Sequence, residues 1–373
     1  MFALCSPAAS AQERGFAPDR AVLERTDPSY GDRFEVIRER RVPAALAVLA
    51  ALALAWALAG ARVAALTLLW APTTALAAAA LGTPPEAVEL VIVGPGSAVL
   101  AWLTDRVLGW PRGIAAPALV AVAAHALDLV LGTDLTVRSL LGPDPAGGAR
   151  FYGIGNELEA ILPVLALIGV AALEPRRPAV AFGAVMAGLG IVVGAGRLGA
   201  DVGGVVTVGV AGAVAVLWSR PGRPSARAAA LAAAVPAAAL ALLAAIDLAT
   251  DADTHFSRTI LGADSPADAV RTIGDRYELA WDALLRGLMP LATVVAVAAA
   301  VWAVRRRRAL YAPVAHLPAW RAALAGSLAG AVAGTLSNDS GPLLLVLAVV
   351  VLAAVTAYIR TGATRTEAVL PDP

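Results

Sequence analysis

The chain has 373 residues, of which 59% are hydrophobic and only 15% are charged, with a formal net charge of +1 at pH 7. Soluble proteins carry about a quarter charged residues, so this composition excludes an ordinary soluble domain and indicates a polytopic membrane protein. The balanced charge leaves no basic surface for nucleic acid, and we expect no nucleic-acid partner.

The apolar segments of the chain predict its fold. A bilayer core about 30 Å thick needs about 20 apolar residues in a helix. Eleven windows approach this length, at 43–60, 63–81, 87–103, 114–132, 158–173, 178–196, 202–218, 228–247, 287–304, 319–336 and 342–359. The sequence therefore predicts an all-α fold, a polytopic transmembrane helical bundle of 10 to 11 spans with room for broken or re-entrant helices.

The polar segments divide the chain into three parts. Residues 1–41 form an amino-terminal polar leader, residues 42–360 form the transmembrane domain, and residues 361–373 form a carboxy-terminal tail. The membrane domain contains one long polar joint, the outer loop 248–286, whose later part reads as an amphipathic surface helix. We expect a multi-pass protein of a bacterial inner membrane, with membrane lipid as its surroundings.

Arginines orient the spans, because short cytoplasmic loops retain positive charge. The run Arg305–Arg308 marks the inside, and the polar joints 133–157, 197–201 and 337–341 then face outward. The arginines at 38, 40 and 41 indicate an amino terminus on the inside. Alternating crossings counted back from Arg305–Arg308 through all the segments place it on the outside instead. Either one of the first three segments does not cross, giving ten spans, or the amino terminus is outside, giving eleven. Glu89 and the sequence GPGS at 94–97 make 87–103 too broken for a continuous helix, so we expect this segment to be the one that does not cross.

The first polar motif is RFYGIGNELE, from Arg150 to Glu159. One interpretation is structural, with Asn156 as a helix N-cap and Glu159 three residues later completing a capping box. The other is functional, because Arg150, Tyr152 and Glu157 bring a cation, a phenol and a carboxylate to the end of a bilayer segment.

The second motif is GAGRLGADVGGVVT, from Gly194 to Thr207. Arg197 and Asp201 stand four residues apart, so one interpretation is an ion pair, with Asp201 capping the next helix. The other interpretation is a binding site, because the surplus of glycines lets the backbone approach a ligand closely.

The third motif is TLSNDSGP, from Thr335 to Pro342, between the last two spans. Asn338, Asp339 and Ser340 are residues that any tight turn uses, which is the structural interpretation. The functional interpretation rests on the arginine count, which puts all three motifs on the external face, each leading into an inward-running helix.

Together the motifs predict one outward-facing polar site. Helix amino-termini near 158, 202 and 342 each concentrate about half a positive charge, which favours an anion. The candidate substrate-binding residues are Arg150, Tyr152, Asn156, Arg197, Asn338 and Ser340. The candidate cation- or proton-coupling residues are Glu157, Asp201, Asp339, His125 and Asp128. Oxygen ligands of this kind suit a divalent cation, Na⁺ or a proton, and the sequence identifies no cofactor.

The motifs YGIGNE, GADVGG and NDSG, in this order, give the chain a family resemblance. It resembles a family of largely uncharacterised bacterial polytopic membrane proteins, over residues from about 135 to 345. Some relatives look like fusions to an alkaline-phosphatase-like extracytoplasmic domain. The resemblance implies no established activity.

Two functional classes and one structural class remain open from the sequence. The first is a transporter or carrier of an anionic or lipid-linked substrate, with carboxylates coupling transport to H⁺ or Na⁺. The second is a membrane-embedded transferase or hydrolase that acts on a lipid-linked phosphate or sugar at the outer face. The third is a membrane scaffold without chemistry. No nucleophile with an adjacent base is visible, which favours the carrier.

Overall fold

The architecture is a helical bundle, described from a computed structural model. The described residues are 29–143, 153–195, 198, 199, 201–220, 225–249, 271, 274, 277, 278, 280–282, 284–338 and 340–367. Within these ranges the chain forms helices and turns and contains no β-strand, which confirms the predicted all-α fold.

We label the α-helices of the described residues α1 to α12. They are α1 (Ser29–Ala59), α2 (Ala61–Ala79), α3 (Glu86–Val107), α4 (Ala115–Leu131), α5 (Leu135–Arg138), α6 (Asn156–Ala172), α7 (Pro178–Gly194), α8 (Val202–Trp218), α9 (Ala226–Ala249), α10 (Met289–Leu310), α11 (Pro318–Ser337) and α12 (Gly341–Glu367). Each apolar window predicted from the sequence coincides with one of these helices, and only the short α5 has no window.

Six helical segments of the described residues are long and apolar enough to cross a bilayer. They are Glu39–Ala59, Ala61–Ala79, Glu86–Val107, Arg112–Leu131, Met289–Leu310 and Gly341–Thr361. The apolar helices α7 and α8 are shorter, with 17 residues each. The several apolar helices fit a membrane protein, and the number of 10 to 11 crossings stays a prediction.

Helix α6 is enclosed by other helices. Every residue from Leu158 to Ala172 is buried, and α6 packs against α4, α7, α8, α11 and α12. Its 17 residues span about 26 Å at the usual helical rise, less than the thickness of a bilayer core. Because α6 is surrounded by protein, its length does not have to match the thickness of the bilayer. Its buried side chains, from Leu158 onward, face other helices.

Helix α3 runs without a break through Gly94, Pro95 and Gly96. The turn Ile92–Gly96 is a π-helix, and the α-helix continues from Ser97 to Val107. A π-turn is one way in which a helix accommodates a local disruption of its hydrogen bonds. The expectation that segment 87–103 is too broken to form a continuous helix is therefore wrong.

Two arginines of α1 form hydrogen bonds with residues near the starts of two other helices. Arg40 donates to Glu89 Oε2 of α3 at 2.7 Å, and Arg41 donates to Glu157 Oε1 of α6 at 3.0 Å. The start of the apolar segment Glu39–Ala59 of α1 and the starts of α3 and α6 therefore lie at one end of the bundle. The four long helices α1 to α4 separate Arg41 from α6, and an even number of alternating helices returns the chain to the same end. This arrangement fits the alternative in which the amino terminus is outside.

The two ends of α10 provide a test of which end faces outward. We expect a membrane-impermeant maleimide to label Leu288→Cys in intact cells and to label Ala309→Cys only after permeabilisation, because Arg305–Arg308 mark the cytoplasmic side. Both positions are exposed, and the native Cys5 is replaced by serine as background. Labelling in the reverse pattern would put the three motifs at the cytoplasmic face.

Candidate functional site

The three motifs meet at the start of α6. Hydrogen bonds join five side chains from three separated parts of the chain, which we call the Glu159 cluster. Its members are Asn156 and Glu159 of α6, Thr207 of α8, Asn338 after α11, and Ser340 before α12. Residues nearly 200 positions apart in the chain thus share one polar site.

Glu159 is the centre of this cluster. Its side chain lies one turn inside α6, and the residue is 1% exposed. Thr207 Oγ1 donates to Glu159 Oε1 at 2.8 Å, and Asn338 Nδ2 donates to Glu159 Oε2 at 2.6 Å. A buried carboxylate is costly unless donors replace its water shell, and these two groups supply such donors.

The two asparagines, the only ones in the chain, contact each other. Asn338 Nδ2 lies 3.4 Å from Asn156 Oδ1, and Asn156 Nδ2 donates to Ser340 Oγ at 2.6 Å. The backbone N–H of Ser340 donates to Asn338 Oδ1 at 2.8 Å. Because a backbone N–H only donates, this bond sets the orientation of the Asn338 amide, with its NH₂ group toward Glu159.

Glycines of α11 bring Thr207 into the cluster. Gly326, Gly330 and Gly334 follow one another at intervals of four residues along the face of α11 that packs on α8. A Cβ at Gly334 would lie 2.5 Å from Thr207 Oγ1, and a Cβ at Gly330 would lie 2.7 Å from the Ala211 Cβ. Small residues allow such close approach of helices. A side chain at Gly334 would displace the hydroxyl that contacts Glu159.

The loops before α6 and α8 also touch directly. The backbone N–H of Ile154 donates to the Gly199 carbonyl oxygen at 3.2 Å. Gly153 has φ of +83°, and a Cβ there would overlap the same carbonyl oxygen. The glycines of the first two motifs therefore allow the backbones of the two loops to contact each other.

Glu157 lies at the rim of the site. Arg41 donates to Glu157 Oε1 at 3.0 Å and to the Gly142 carbonyl oxygen at 2.6 Å. The side chains of Arg41 and Glu157 are 22% and 18% exposed, so this pair is more accessible than Glu159. Glu157 and Glu159, only two residues apart, therefore have different surroundings.

Asp201 is the N-cap of α8. Its Oδ1 accepts a hydrogen bond from the Gly204 N–H at 3.1 Å, and the residue is 3% exposed. This confirms the predicted cap. The capping box predicted for α6 is wrong, because Gly155 is the N-cap and no side chain caps it. The Asn156 and Glu159 side chains instead bond across to other helices.

His125 and Asp128 of α4 have separate partners. His125 Nδ1 is 2.8 Å from the Ala121 carbonyl oxygen. The Asp128 carboxylate accepts from the hydroxyl of Thr133 and from two backbone N–H groups at the start of α5, at 2.9 and 2.7 Å. Among the hydrogen bonds described, none joins His125 to Asp128. The Asp128 geometry is that of a cap that ties α5 to the end of α4.

Four candidate residues lie outside the described residues: Arg150, Tyr152, Arg197 and Asp339. Most of the outer loop also lies outside them. In its described part, the Tyr277 hydroxyl donates to the Leu336 carbonyl oxygen at 3.0 Å, two residues before Asn338. The outer loop therefore reaches the third motif.

The described residues contain no group of three or more histidine, cysteine, aspartate or glutamate side chains that would hold a metal ion. Glu157 pairs with Arg41 and Asp201 caps α8, so these two carboxylates serve separate contacts. Among these three carboxylates, Glu159 is the one that contacts the amide and hydroxyl side chains of the cluster.

Three residues of the site were not among the predicted candidates: Glu159, Thr207 and Arg41. The sequence does distinguish Glu159, because it is the acidic residue that stands directly before an unbroken apolar run from Ala160 to Ala172. Thr207 stands at the end of the second motif as one hydroxyl among valines and glycines. Arg41 carried no signal beyond its charge.

Comparison of the chain with protein-family models, curated proteins and solved structures found no match in any of the three.

The Gly153 loop contact predicts a difference between two glycine substitutions. Gly153→Ala and Gly132→Ala both place a Cβ at positive φ, which costs about 1–2 kcal/mol. Only Gly153 faces a carbonyl oxygen, whereas Gly132 has nothing within 4 Å. We expect Gly153→Ala to lower the thermal unfolding temperature in detergent more, measured by tryptophan fluorescence. Equal shifts in the two variants would show that the loop accommodates the added Cβ at Gly153 without a further loss of stability.

Removal of the central carboxylate should destabilise the bundle. Glu159→Ala leaves the Asn338 and Thr207 donors without this acceptor, and we expect a loss of about 2–4 kcal/mol in the free energy of unfolding. Glu159→Gln retains one acceptor oxygen and should lose less. The rim variant Glu157→Ala should lose about 1 kcal/mol or less, because its pair is partly exposed. Denaturant titration in detergent measures all three, and equal losses for both alanine variants would contradict the assignment of Glu159 as the centre.

Proposed function

We propose that this protein is a carrier of an anionic substrate, free or lipid-linked, in a bacterial inner membrane, and that the Glu159 cluster is its polar site. The observation that carries the proposal is the convergence of three motifs around one carboxylate that is 1% exposed. Ionisable groups inside a membrane domain are costly and characteristically mark substrate or ion pathways.

The helix ends at the site favour an anion. Helices α6, α8 and α12 start at Asn156, Val202 and Gly341, and their amino-termini lie close to one another through the hydrogen bonds of the cluster. The partial positive charge of such ends attracts anionic groups. At the rim, the positive charge of Arg41 is paired with Glu157, so the attraction for an anion comes from the helix ends. Carriers use helix amino-termini in this way to receive anionic substrate groups.

The carboxylate of Glu159 opposes the same anion. An ionised Glu159 repels a negative substrate over a few ångströms, and the repulsion is strong where water is excluded. A carrier resolves this conflict when a cation or proton neutralises the carboxylate as the substrate binds. The carboxylate therefore supports coupled transport rather than simple anion binding.

The geometry of Thr207 favours a carrier over a membrane-embedded transferase or hydrolase. Thr207 is the hydroxyl that contacts Glu159, so it is the nucleophile to consider. It is 2% exposed, and its Oγ1 also lies 3.1 Å from the Gly203 carbonyl oxygen. A hydroxyl held between these two acceptors has no open face for an acyl or phosphoryl group.

The order of the motifs supports a proposal of family membership, separate from the activity. YGIGNE, GADVGG and NDSG resemble the motifs of one bacterial membrane protein family, and in this chain the three motifs contact one another. We propose membership of that family on this basis. The contact between the motifs gives a physical reason for their presence in one chain.

Transport by the reconstituted protein tests the proposal. The full chain is placed in phosphatidylcholine vesicles with two probes, radiolabelled inorganic phosphate outside and a trace of NBD-labelled phosphatidic acid in the bilayer. We expect at least one probe to cross faster than in empty vesicles. Asn338→Ala should slow this movement about tenfold, because it removes hydrogen bonds worth about 1 kcal/mol each from the site.

Asp105→Asn is the matched control for this experiment. Asp105 pairs with Arg62 at 2.8 Å, away from the cluster, and its substitution should leave the rate unchanged. Chromatography of the recovered probes should show them chemically intact. Cleaved or transferred phosphate would favour the enzyme, and the absence of movement of both probes would contradict the carrier.

A further inference from the structure

The hydroxyl of Thr207 lies between two acceptors. Its Oγ1 is 2.8 Å from Glu159 Oε1 and 3.1 Å from the Gly203 carbonyl oxygen. A hydroxyl has one hydrogen and two lone pairs, and the hydrogen rotates to suit its partners. Thr207 therefore donates to Glu159 when that carboxylate is ionised, and it can instead donate to Gly203 and accept from Glu159.

The other oxygen of Glu159 lacks this freedom. Asn338 Nδ2 donates to Glu159 Oε2 at 2.6 Å, and the Ser340 N–H holds the Asn338 amide in that orientation. An NH₂ group only donates, so it does not accept a hydrogen from a carboxylic acid. A proton on Glu159 is therefore placed on Oε1, where Thr207 can receive its hydrogen bond.

We infer that Glu159 is the proton-binding residue of this protein, with Thr207 as the hydroxyl that accommodates both of its charge states. A proton from the outer solution binds Glu159 Oε1 and forms an O–H bond. The new hydroxyl donates to Thr207 Oγ1, and the Thr207 hydrogen turns to the Gly203 carbonyl oxygen. The hydrogen bond that Thr207 donates to Glu159 is replaced by one to Gly203, the hydronium ion that supplies the proton is left as water, and the charge of the Glu159 side chain rises from −1 to 0.

The orientation of Asn338 favours a proton over a metal cation. Cations such as Na⁺, Mg²⁺ or Ca²⁺ are bound through oxygen lone pairs. Asn338 presents its NH₂ group to Glu159, and its amide oxygen is occupied by the Ser340 N–H. The hydrogen bonds described at Glu159 thus come from donors, which complement an ionised carboxylate, and Asn338 turns no oxygen lone pair toward Glu159 to share in binding a metal cation.

Other titratable groups lie on the elements packed against α6. Glu157 is on α6 itself and pairs with Arg41 of α1. Asp201 caps α8, and His125 and Asp128 are on α4. In their described parts, α7 contains no titratable side chain, and those of α11 and α12 lie toward the opposite ends of the helices. A test of proton binding must therefore separate Glu159 from these groups.

This inference rests on the proposed function and deepens it. Neutral Glu159 no longer repels an anion at the adjacent helix amino-termini, so proton and anion bind together. Release of one favours release of the other, because the coupling of two ligands is reciprocal. The ligand class at this site is a proton, carried with the anion in the same direction.

Infrared spectroscopy reads the protonation directly. Difference spectra between alkaline and acid pH are recorded on the full chain in phosphatidylcholine membranes, where a protonated carboxylic acid gives its own C=O stretching band. We expect a band that appears on acidification and that Glu159→Gln removes. The control Asp105→Asn should retain this Glu159 band. A spectrum unchanged by Glu159→Gln would overturn the inference.

Two substitutions of Thr207 test its role. Thr207→Ser keeps the hydroxyl and should keep the midpoint of the Glu159 band. Thr207→Val keeps the shape and removes a donor to the ionised form, so the midpoint should rise by about one pH unit. The same midpoint in all three proteins would exclude Thr207 as the partner. A Glu159 band that responds to Na⁺ rather than to acid would overturn proton binding.

The two proposals fail in different ways. If the Glu159 band titrates but neither transport probe moves, the carrier is wrong and the proton site stands. If a probe moves, but its transport rate does not depend on a pH gradient in either the native protein or Glu159→Gln, the carrier proposal is supported and proton coupling is wrong. The inference expects a pH gradient, acid outside, to speed uptake in the native protein, and expects Glu159→Gln to lose that response.

Discussion

The burial of one carboxylate is the constraint on which the site depends. Glu159 lies on a helix that is enclosed from Leu158 to Ala172, so neither water nor lipid headgroups can solvate it. An ionised carboxylate in such a place needs donors from the protein. Thr207 and Asn338 supply them from the second and third motifs, and the requirement of one side chain thereby links three distant segments.

Close helix packing makes these hydrogen bonds possible. A hydroxyl on a short side chain reaches across to α6 only if α8 and α11 approach closely, and Gly330 and Gly334 remove the side chains that would prevent this. In lipid, such contacts stabilise helix pairs through van der Waals packing and interhelical hydrogen bonds. The glycines of α11 are therefore part of the site, although none of them carries a functional group.

The arginines at the start of the apolar segment of α1 connect the amino-terminal helices to the site. Arg41 bonds both Glu157 of α6 and the Gly142 carbonyl oxygen, so α1 and the chain after α5 meet at the rim of the cluster. The positive charge that indicated an inside amino terminus is thus used in ion pairs at the same end as the motifs. A positive residue with a structural partner does not report membrane orientation as a free loop arginine does.

The sequence by itself determined the helical class, the eleven apolar windows that coincide with helices, and the three polar motifs, because hydrophobic runs and glycine-rich polar joints are local properties of the chain. It also indicated Asn156, Asn338 and Ser340, which lie together in the site. Only the tertiary structure decided that Glu159 bonds to other helices instead of capping its own, that Thr207 faces it, and that Asp128 caps α5. The physical reason is that donors for a buried charge come from helices whose packing and rotation depend on the whole bundle, and no local pattern records them.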